Sequence, residues 1–158
     1  MFDFLGDPQL LWKNLGHIGV AYLLTALIGW EQEHEAHSAG LRTFPLVGMA
    51  SCGYLLTLGA HPNAADQSRV LQGLITGIGF VGGGAILREG TTVRGTATAA
   101  SVWNAGVIGA AVAMDHFGIA TGLALLNLFT LRALLPLKSW IEKRNHPDSR
   151  PPGATPSA

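Results

Sequence analysis

The 158-residue sequence has little charge and almost no cysteine. Charged residues make up 13% of it, about half the share that is usual in soluble proteins. The ten basic and ten acidic residues leave no net charge, so bulk electrostatic attraction to nucleic acid is not expected. The single cysteine, Cys52, excludes a disulfide within these residues and any cysteine-based metal cluster.

A cleavable signal sequence is not expected either. The first seven residues contain two acids and no basic residue, whereas a secretory signal begins with a basic segment. The first apolar segment is therefore expected to remain in the protein.

Glycine, in contrast, is concentrated in residues 69–104. An apolar run there contains Gly73, Gly77, Gly79, Gly82, Gly83 and Gly84. A polar hinge with Arg88, Glu89 and Arg94 follows, and then a run rich in alanine, serine and threonine. In a water-exposed helix each glycine costs about 1 kcal/mol relative to alanine, whereas in a bilayer small residues let helices approach closely. This stretch is therefore predicted to be the packed centre of a small membrane protein, with its charged groups at one face.

Five apolar segments are candidates to span a membrane, at residues 15–30, 43–60, 70–87, 96–114 and 117–137. Each is close to the roughly 20 residues that a bilayer requires. Trp12 and Trp30 are placed to anchor the ends of the first segment. Thr43 is a candidate cap for the second segment, and Pro45 fits in its first turn. The predicted fold class is all-α, a polytopic membrane bundle of about five transmembrane helices.

The basic residues predict the orientation of this bundle. If the five segments alternate in direction, eight basic residues fall on one side and Lys13 and Arg69 on the other. The eight are Arg42, Arg88, Arg94, Arg132, Lys138, Lys143, Arg144 and Arg150. Because cytoplasmic loops carry the excess of basic residues, the N-terminus is predicted outside and the C-terminus in the cytoplasm.

Three regions follow from this topology. Residues 1–14 form an extracytoplasmic N-terminal segment, residues 15–137 the transmembrane domain, and residues 138–158 a cytoplasmic tail. The tail is largely polar and proline-rich from residue 145 onward. It cannot bury enough apolar surface to fold, so it is predicted to be largely disordered.

The glycines from Gly77 to Gly82 also match the pattern GxGxxG of dinucleotide-binding proteins. That motif requires a preceding strand, a following helix and an acid about 20 residues further on. Here the glycines lie within an apolar run, and residues 97–106 contain no acid. Helix packing is the preferred interpretation, with Gly73/Gly77 and Gly79/Gly83 as small-xxx-small pairs.

Acidic residues and histidines gather after the first span. Glu31, Glu33, His34, Glu35 and His37 are the densest group of potential metal ligands. Carboxylates with few histidines suit a hard cation such as magnesium. The alternative is a solvated cytoplasmic loop, which is preferred for the two histidines. Glu31 and Glu33 are therefore only weak metal candidates.

The ends of three predicted spans suggest a charged cluster. Charges at membrane depth are costly and usually paired, and the predicted topology places one set of charges at the same face. This set comprises Glu31, Glu33, Arg42, Arg88 and Arg94. Structural pairing and a direct functional role are both open interpretations of this cluster, which is the preferred site of function.

Several other polar residues are of interest. Asn104 lies within the fourth span near Thr98 and Ser101, and a hydrogen bond between helices is the default interpretation, with a polar pathway as the alternative. His17 could titrate near neutral pH, although a packed or interfacial histidine is the more usual case. Asp66 is placed to cap the third span. No nucleophile–base set or phosphate loop is recognisable, so neither an enzyme nor a cofactor is expected.

Several ordered motifs resemble the MgtC/SapB family of bacterial membrane proteins. They are residues 29–33 (GWEQE), 39–43 (AGLRT), 68–88 (including GIGFVGGGAILR) and 92–103 (TVRGTATAASVW). The resemblance covers about residues 15–137. It implies an inner-membrane protein with about five spans, associated with growth in low magnesium, acid stress and survival inside macrophages. It also implies contacts with other membrane proteins, the proton-driven ATP synthase among them.

The sequence departs from the family pattern in specific places. The acidic motif usually reads Glu-Arg-Glu, whereas Gln32 stands in place of the arginine and removes one charge. Gly73 stands where many members carry glutamine. Longer members continue into a soluble regulatory domain, which is not expected here, so its regulation is not transferred.

Two functions remain as hypotheses. The first is a non-enzymatic membrane regulator that binds the lipid bilayer and another membrane protein, or a second copy of itself, through glycine-lined helix faces. The alternative is a transporter of magnesium or another cation that uses Glu31, Glu33, Asn104 and the arginines. The shortage of acids within the spans is unfavourable to transport, because magnesium prefers oxygen ligands.

Overall fold

Five helices and one hairpin make up the fold. The computed structural model describes residues 8–34, 39–59, 63–90 and 92–145. In chain order the elements are α1 (Pro8–His34), α2 (Thr43–Leu56), α3 (Ala64–Gly84), β1 (Leu87–Glu89), β2 (Thr92–Arg94), α4 (Thr96–Ala113) and α5 (Phe117–Asn145). The predicted all-α class and the five helices are confirmed. The predictions for residues 1–7 and 146–158 lie outside the described residues.

The centre of the bundle is α4. This helix contacts α1, α2, α3 and α5, and ten of its residues are buried. Seven of those ten are alanine, glycine, serine or threonine. Small residues bring helix backbones close together, which is the usual basis of helix association in membranes.

Small residues also allow the close contact between α2 and α4. A methyl group added at Gly109 would collide with the carbonyl oxygen of Gly48 and would lie 2.9 Å from Ser51 Cβ. One at Gly48 would meet Thr25 Oγ1 of α1 at 2.6 Å. The glycines that bring helices together in this chain are therefore mainly those of α2 and α4.

Residues 69–104 were predicted to be the packed centre. Their α4 part lies there, whereas the glycine-rich helix α3 does not. Only Ile78 and Gly82 of this helix are buried. A methyl group at Gly82 would lie 3.1 Å from the carbonyl oxygen of Ala99. Added at the other five predicted packing glycines, Gly73, Gly77, Gly79, Gly83 and Gly84, it would meet no atom within 4 Å. These five glycines therefore bring no other helix close to α3 within the described chain, because α3 lies at the edge of the bundle.

The polar hinge between α3 and α4 is an antiparallel β-hairpin, which the sequence did not predict. Leu87 pairs with Arg94, Arg88 with Val93, and Glu89 with Thr92. Gly90 and Gly95 have positive φ angles of 61° and 82°, a conformation that glycine adopts readily. Gly95 is the residue before α4, and a side chain there would collide with the carbonyl oxygen of Ala85. The hairpin thus reverses the chain within a few residues.

Two predicted caps differ from those observed. Arg42, not Thr43, precedes α2, and its side chain makes no capping bond. Asn63, not Asp66, caps α3: its Oδ1 accepts the backbone N–H of Asp66 at 2.8 Å. Asp66 instead lies in the first turn, with its carboxylate 3.7 Å from Arg69. The two residues left between the predicted fourth and fifth spans form a turn between α4 and α5, in which Asp115 has a φ of 60°.

The outside of the bundle is strongly apolar. Leu125, Leu126 and Phe129 of α5 are each more than 60% exposed, and Phe80 of α3 is 86% exposed. By length and composition, two described helices are apolar enough to cross a membrane, at Thr96–Ala113 and Phe117–Leu134. Only 22% of the second is buried, unlike the core helix of a soluble protein. Apolar helix α2 is shorter, with 14 residues.

Candidate functional site

An ion pair joins α1 to α5 at the end of the bundle where α1 ends. Glu31 Oε2 lies 2.7 Å from one terminal nitrogen of Arg132 and accepts a hydrogen bond of 2.8 Å from its Nε. The Glu31 side chain is 13% exposed and that of Arg132 is 70% exposed. The carboxylate is therefore largely shielded from solvent, whereas the guanidinium is exposed on the surface of α5.

The second predicted acid, Glu33, has a separate structural role. Its Oε2 accepts the backbone N–H of Leu41 at 3.1 Å. The carboxylate lies over Gly40, where any side chain would collide with it. Glu33 thus fixes the chain between α1 and α2. Because Glu33 and Glu31 are two positions apart on a helix, their side chains lie on different faces.

The three predicted arginines lie at the same end of the bundle but do not join the acids. Arg42, Arg88 and Arg94 are exposed. Within the described ranges none of the three makes an ion pair with Glu31 or Glu33, and Arg88 Nε donates instead to the carbonyl oxygen of Gly90 at 3.2 Å. Among the described side chains, Arg132 is a cationic partner of Glu31, and the predicted charged cluster did not contain it.

A line of buried or half-buried polar side chains continues from this end into the bundle; we call it the polar seam. It comprises Gln32, Thr98, Ser101, Asn104 and Asn127. Thr98 Oγ1 donates to Gln32 Oε1 at 3.1 Å, and Ser101 Oγ donates to Asn127 Oδ1 at 3.0 Å. Asn104 Nδ2 donates to the carbonyl oxygen of Leu123 at 3.4 Å. The predicted hydrogen bonds from α4 to neighbouring helices are therefore confirmed.

One member of the polar seam carries an unsatisfied group. Asn127 is only 9% exposed, and its Nδ2 has no hydrogen-bond partner among the described residues. Leaving a buried donor unpaired costs roughly 1–3 kcal/mol. This donor therefore destabilises the polar seam locally at α5, about one and a half helical turns before Arg132.

Sequence reasoning missed three of these residues, although one left a signal. Gln32 was noted only for the charge that it removes from the acidic motif, whereas its side chain is 1% exposed. It continues a stripe of buried α1 residues, His17, Ala21, Thr25 and Ile28, whose spacing of three and four positions is helical. Asn127 and Arg132 had no comparable signal, because their partners depend on how α5 is rotated against its neighbours.

The opposite end of the bundle holds a second polar group, made by Lys13, His17 and Asp115. His17 Nε2 lies 2.8 Å from Asp115 Oδ1, and Lys13 Nζ lies 3.2 Å from Asp115 Oδ2. The hydrogen bond from His17, and then that from Lys13, hold the pKa of Asp115 below its ordinary value of 3.8. His17 is 5% exposed, as expected of a packed histidine.

Metal binding by the predicted acids finds no geometric support in the described part of the chain. No three histidine, cysteine, aspartate or glutamate side chains converge there. Glu31 and Glu33 have the separate partners given above. The predictions for Glu35 and His37, and for the side chain of His34, fall outside the described residues and side chains.

Two cavities border the described helices. One of about 820 Å³ lies beside Lys13, His17 and Asp115, with apolar walls from α1 and α2. The other, of about 520 Å³, lies between α2 and α3, and Gly73 and Gly77 form part of its wall. Neither is lined by a residue of the polar seam. The polar seam thus lies apart from both spaces.

Small-residue helix packing, an apolar exterior and buried polar contacts define the class: an all-helical protein whose two apolar helices indicate membrane association. Comparison with known proteins makes this more specific. Residues 18–140 match the model of the MgtC family, so the chain belongs to that family. The resemblance seen in its sequence motifs is thereby confirmed.

Individual relatives agree with the family assignment. The chain is 34% identical to "Protein MgtC" of Brucella abortus (strain 2308) over 119 residues, 71% of this chain and 50% of the relative. It is 34% identical to "Protein MgtC" of Salmonella typhimurium (strain 14028s) over 123 residues, 77% of this chain and 52% of the relative. It thus spans about half the length of these relatives. No solved structure matches the chain.

Proposed function

We propose that this protein is a non-enzymatic regulator of the bacterial inner membrane that acts by binding another membrane protein through the glycine-lined face of α3. The physiological setting is adaptation to low magnesium, acid stress or intracellular survival, as the family resemblance implies. A membrane subunit of the ATP synthase is a candidate partner on the same ground. No cofactor is part of the proposal.

The observation that carries this proposal is the open glycine wall of α3. Gly73 and Gly77 line the groove of about 520 Å³ between α2 and α3, and a methyl group at either position would meet nothing within 4 Å. The rest of the wall is mainly apolar. Glycines four positions apart present a flat helix surface against which a second helix packs closely in a membrane.

A five-span topology with the N-terminus outside is part of the proposal. The helix ends support it, because Lys13 lies beside Asp115 at one end, and Glu31 beside Arg132 at the other. The basic residues Arg42, Arg88, Arg94 and Arg132 belong to the second end, which is the expected cytoplasmic side. With 14 residues, α2 is about 21 Å long, so it would cross only where the bilayer is thin or where neighbouring helices shield its ends.

Cation transport is the second candidate, and the polar seam is the observation that favours it. Transport needs a wet route through the bilayer, with oxygen ligands where magnesium is carried. The polar seam supplies amide and hydroxyl oxygens, yet neither described cavity reaches it. The regulator is therefore the better-supported function.

The test compares two pairs of substitutions in a deletion strain grown at low magnesium. The double variant G73I/G77I fills the groove on α3. The control G118I/G122I adds the same bulk on α5, where both glycines also have open space. We expect wild type and the control to restore growth and the groove variant to fail, with unchanged melting temperatures for all three.

Capture of the partner completes the test. Photo-crosslinking from Gly77 should link wild type to a membrane subunit of the ATP synthase; a crosslinked dimer of this chain would instead make a second copy the occupant of the groove. Full complementation by G73I/G77I would refute the proposal. Cation flux into reconstituted vesicles that is lost in E31A would support the transporter in its place.

A further inference from the structure

The group of Lys13, His17 and Asp115 ties two parts of the fold that are far apart in sequence. Lys13 and His17 lie one turn apart on α1, and Asp115 lies in the turn between α4 and α5. His17 bonds Asp115 Oδ1 at 2.8 Å, and Lys13 bonds Oδ2 at 3.2 Å. Both carboxylate oxygens are therefore held by cationic or potentially cationic groups of α1.

The two ring nitrogens of His17 fix its protonation state. Nδ1 lies 2.7 Å from the carbonyl oxygen of Lys13, and Nε2 lies 2.8 Å from the carboxylate of Asp115. Neither a carbonyl nor an ionised carboxylate can donate a hydrogen bond, so both ring nitrogens must donate. A neutral imidazole has one N–H and only the imidazolium has two. The two bonds coexist only on charged His17.

We propose that Lys13, His17 and Asp115 form a pH-operated latch that holds the outer end of α1 against the α4–α5 turn while His17 is protonated and releases it when His17 loses its proton. Deprotonation places a lone pair against an oxygen at 2.7 or 2.8 Å, so one of the two bonds must open. The bond to Asp115 is the one to open, because the other lies within a single helix.

Few titratable groups lie near His17. Lys13 and Asp115 face it directly, and the neighbouring His116 is exposed. The ring of Phe117 packs on it with a centroid distance of 5.4 Å. The walls that α2 and α3 contribute to the adjoining cavity are formed by apolar residues, glycines, Thr57 and Gln67, without a titratable group.

The direction of the pH response follows from these two groups. The two contacts of His17 require its charged form, so the latch is complete while the ring is charged and opens when rising pH removes its proton. The pKa of Asp115 lies below 3.8, so the carboxylate remains ionised through mildly acid conditions. The latch is therefore complete only while His17 is charged and Asp115 is ionised.

Release would open the cavity of about 820 Å³ beside the latch, since Lys13, Asn14, His17 and Asp115 all line it. On the proposed topology this end of the bundle faces outside, so external pH would operate the latch; this last point rests on the proposed function. The latch itself does not depend on that topology.

Distance measurements on the full chain in detergent micelles test the latch. Nitroxide labels would be placed at Trp12 and Ile119, which are 72% and 56% exposed, as W12C and I119C in a C52S background. We expect one narrow distance distribution at pH 5.5 and a longer or broader one at pH 8.5. In micelles the same buffer reaches both ends of the bundle. A distance that does not change with pH would therefore count against the latch and would not bear on the topology.

Two variants and one direct measurement separate the latch from a general effect of pH. H17Q should show the broad distribution at both pH values, and the matched control H116Q should respond as wild type does. If H17Q does not fold, ¹⁵N spectra of histidine-labelled wild type decide the question, because both ring nitrogens of His17 should carry protons at pH 5.5. A neutral ring at that pH, or a wild-type distance that ignores pH, would overturn the proposal.

Discussion

Gln32 of α1 and Thr98 of α4 share a hydrogen bond of 3.1 Å where both side chains are at most 1% exposed. Gln32 lies between Glu31 and Glu33 in the sequence. The acidic end of α1 therefore buries a neutral amide, and its two carboxylates lie on either side of that amide. The resemblance suggests arginine at this position in many relatives. A glutamine can be buried here because Thr98 supplies its donor, whereas a buried guanidinium would require an acceptor of opposite charge.

A double-mutant cycle should detect the bond between Gln32 and Thr98. The variants Q32L and T98V keep side-chain volume while removing one partner each, and we expect either to lower stability by roughly 1–3 kcal/mol because a buried polar group loses its partner. The double variant should cost less than the sum, with a coupling of about 0.6 kcal/mol, as for hydrogen bonds between membrane helices. Unfolding in detergent measures all four proteins; strict additivity would contradict the prediction.

The contact between Gly109 and Gly48 should tolerate no methyl group. In G109A the new carbon would meet the Gly48 carbonyl oxygen, so α2 and α4 must separate, at a cost of about 1–3 kcal/mol. The control G79A adds the same methyl group in α3, where it meets nothing within 4 Å. It should be neutral or gain up to about 1 kcal/mol from helix propensity. Equal melting temperatures for the two variants would disprove the assigned contact.

The helices could be predicted from the sequence because apolar runs near bilayer length are separated by short polar segments. Their ends could not, since α1 and α5 extend through polar residues at their ends. The hairpin escaped prediction because its strands are three residues each and too short for an alternating pattern. The sequence also did not show which glycines bring helices together. Composition pointed to the glycines of α3, whereas the glycines at the helix contacts lie mainly in α2 and α4.

Only part of the candidate site was predicted from the sequence. Glu31 was identified as a charge at the end of an apolar segment and Asn104 as an amide within one, and both bond to another helix. The arginine that pairs with Glu31 depends on the rotation of α5 about its axis, which periodicity in one sequence does not fix. Arg132 was therefore counted only as a cytoplasmic charge, although it is the described cationic partner.

Removing the two members of the Glu31–Arg132 pair should have unequal effects. R132Q leaves a carboxylate that is 13% exposed without this partner, whereas E31Q leaves a guanidinium that is 70% exposed and can be hydrated. Losing a charged partner costs a shielded carboxylate more than it costs an exposed guanidinium. We therefore expect R132Q to lower the melting temperature more than E31Q, and E31Q/R132Q to recover part of the loss. The reverse order would contradict the burial seen here.

Acid should destabilise the protein through Asp115. Its pKa lies below the ordinary 3.8 because of bonds from His17 and Lys13. A lowered pKa in the folded state means that this contribution is present above the unfolded value and is lost as pH falls through the folded value. Melting temperatures from pH 5 downward should therefore fall less in D115N than in wild type. In H17Q the fall should begin at higher pH, while H116Q should follow wild type.

The Nδ2 group of Asn127 has no hydrogen-bond partner among the described residues, which predicts that the polar seam can be made more stable. N127L together with S101A removes the orphan Nδ2 and its bonded partner at once, and replacing both members of a buried polar pair by apolar groups is often neutral or stabilising. We expect the double variant to melt at or above the wild-type temperature, whereas N127A alone should destabilise by leaving a void. If the double variant is stable yet fails to restore growth at low magnesium, the polar seam serves function and not folding. A lower melting temperature for the double variant would mean that Asn127 Nδ2 has a partner, such as a buried water, that the described contacts do not include.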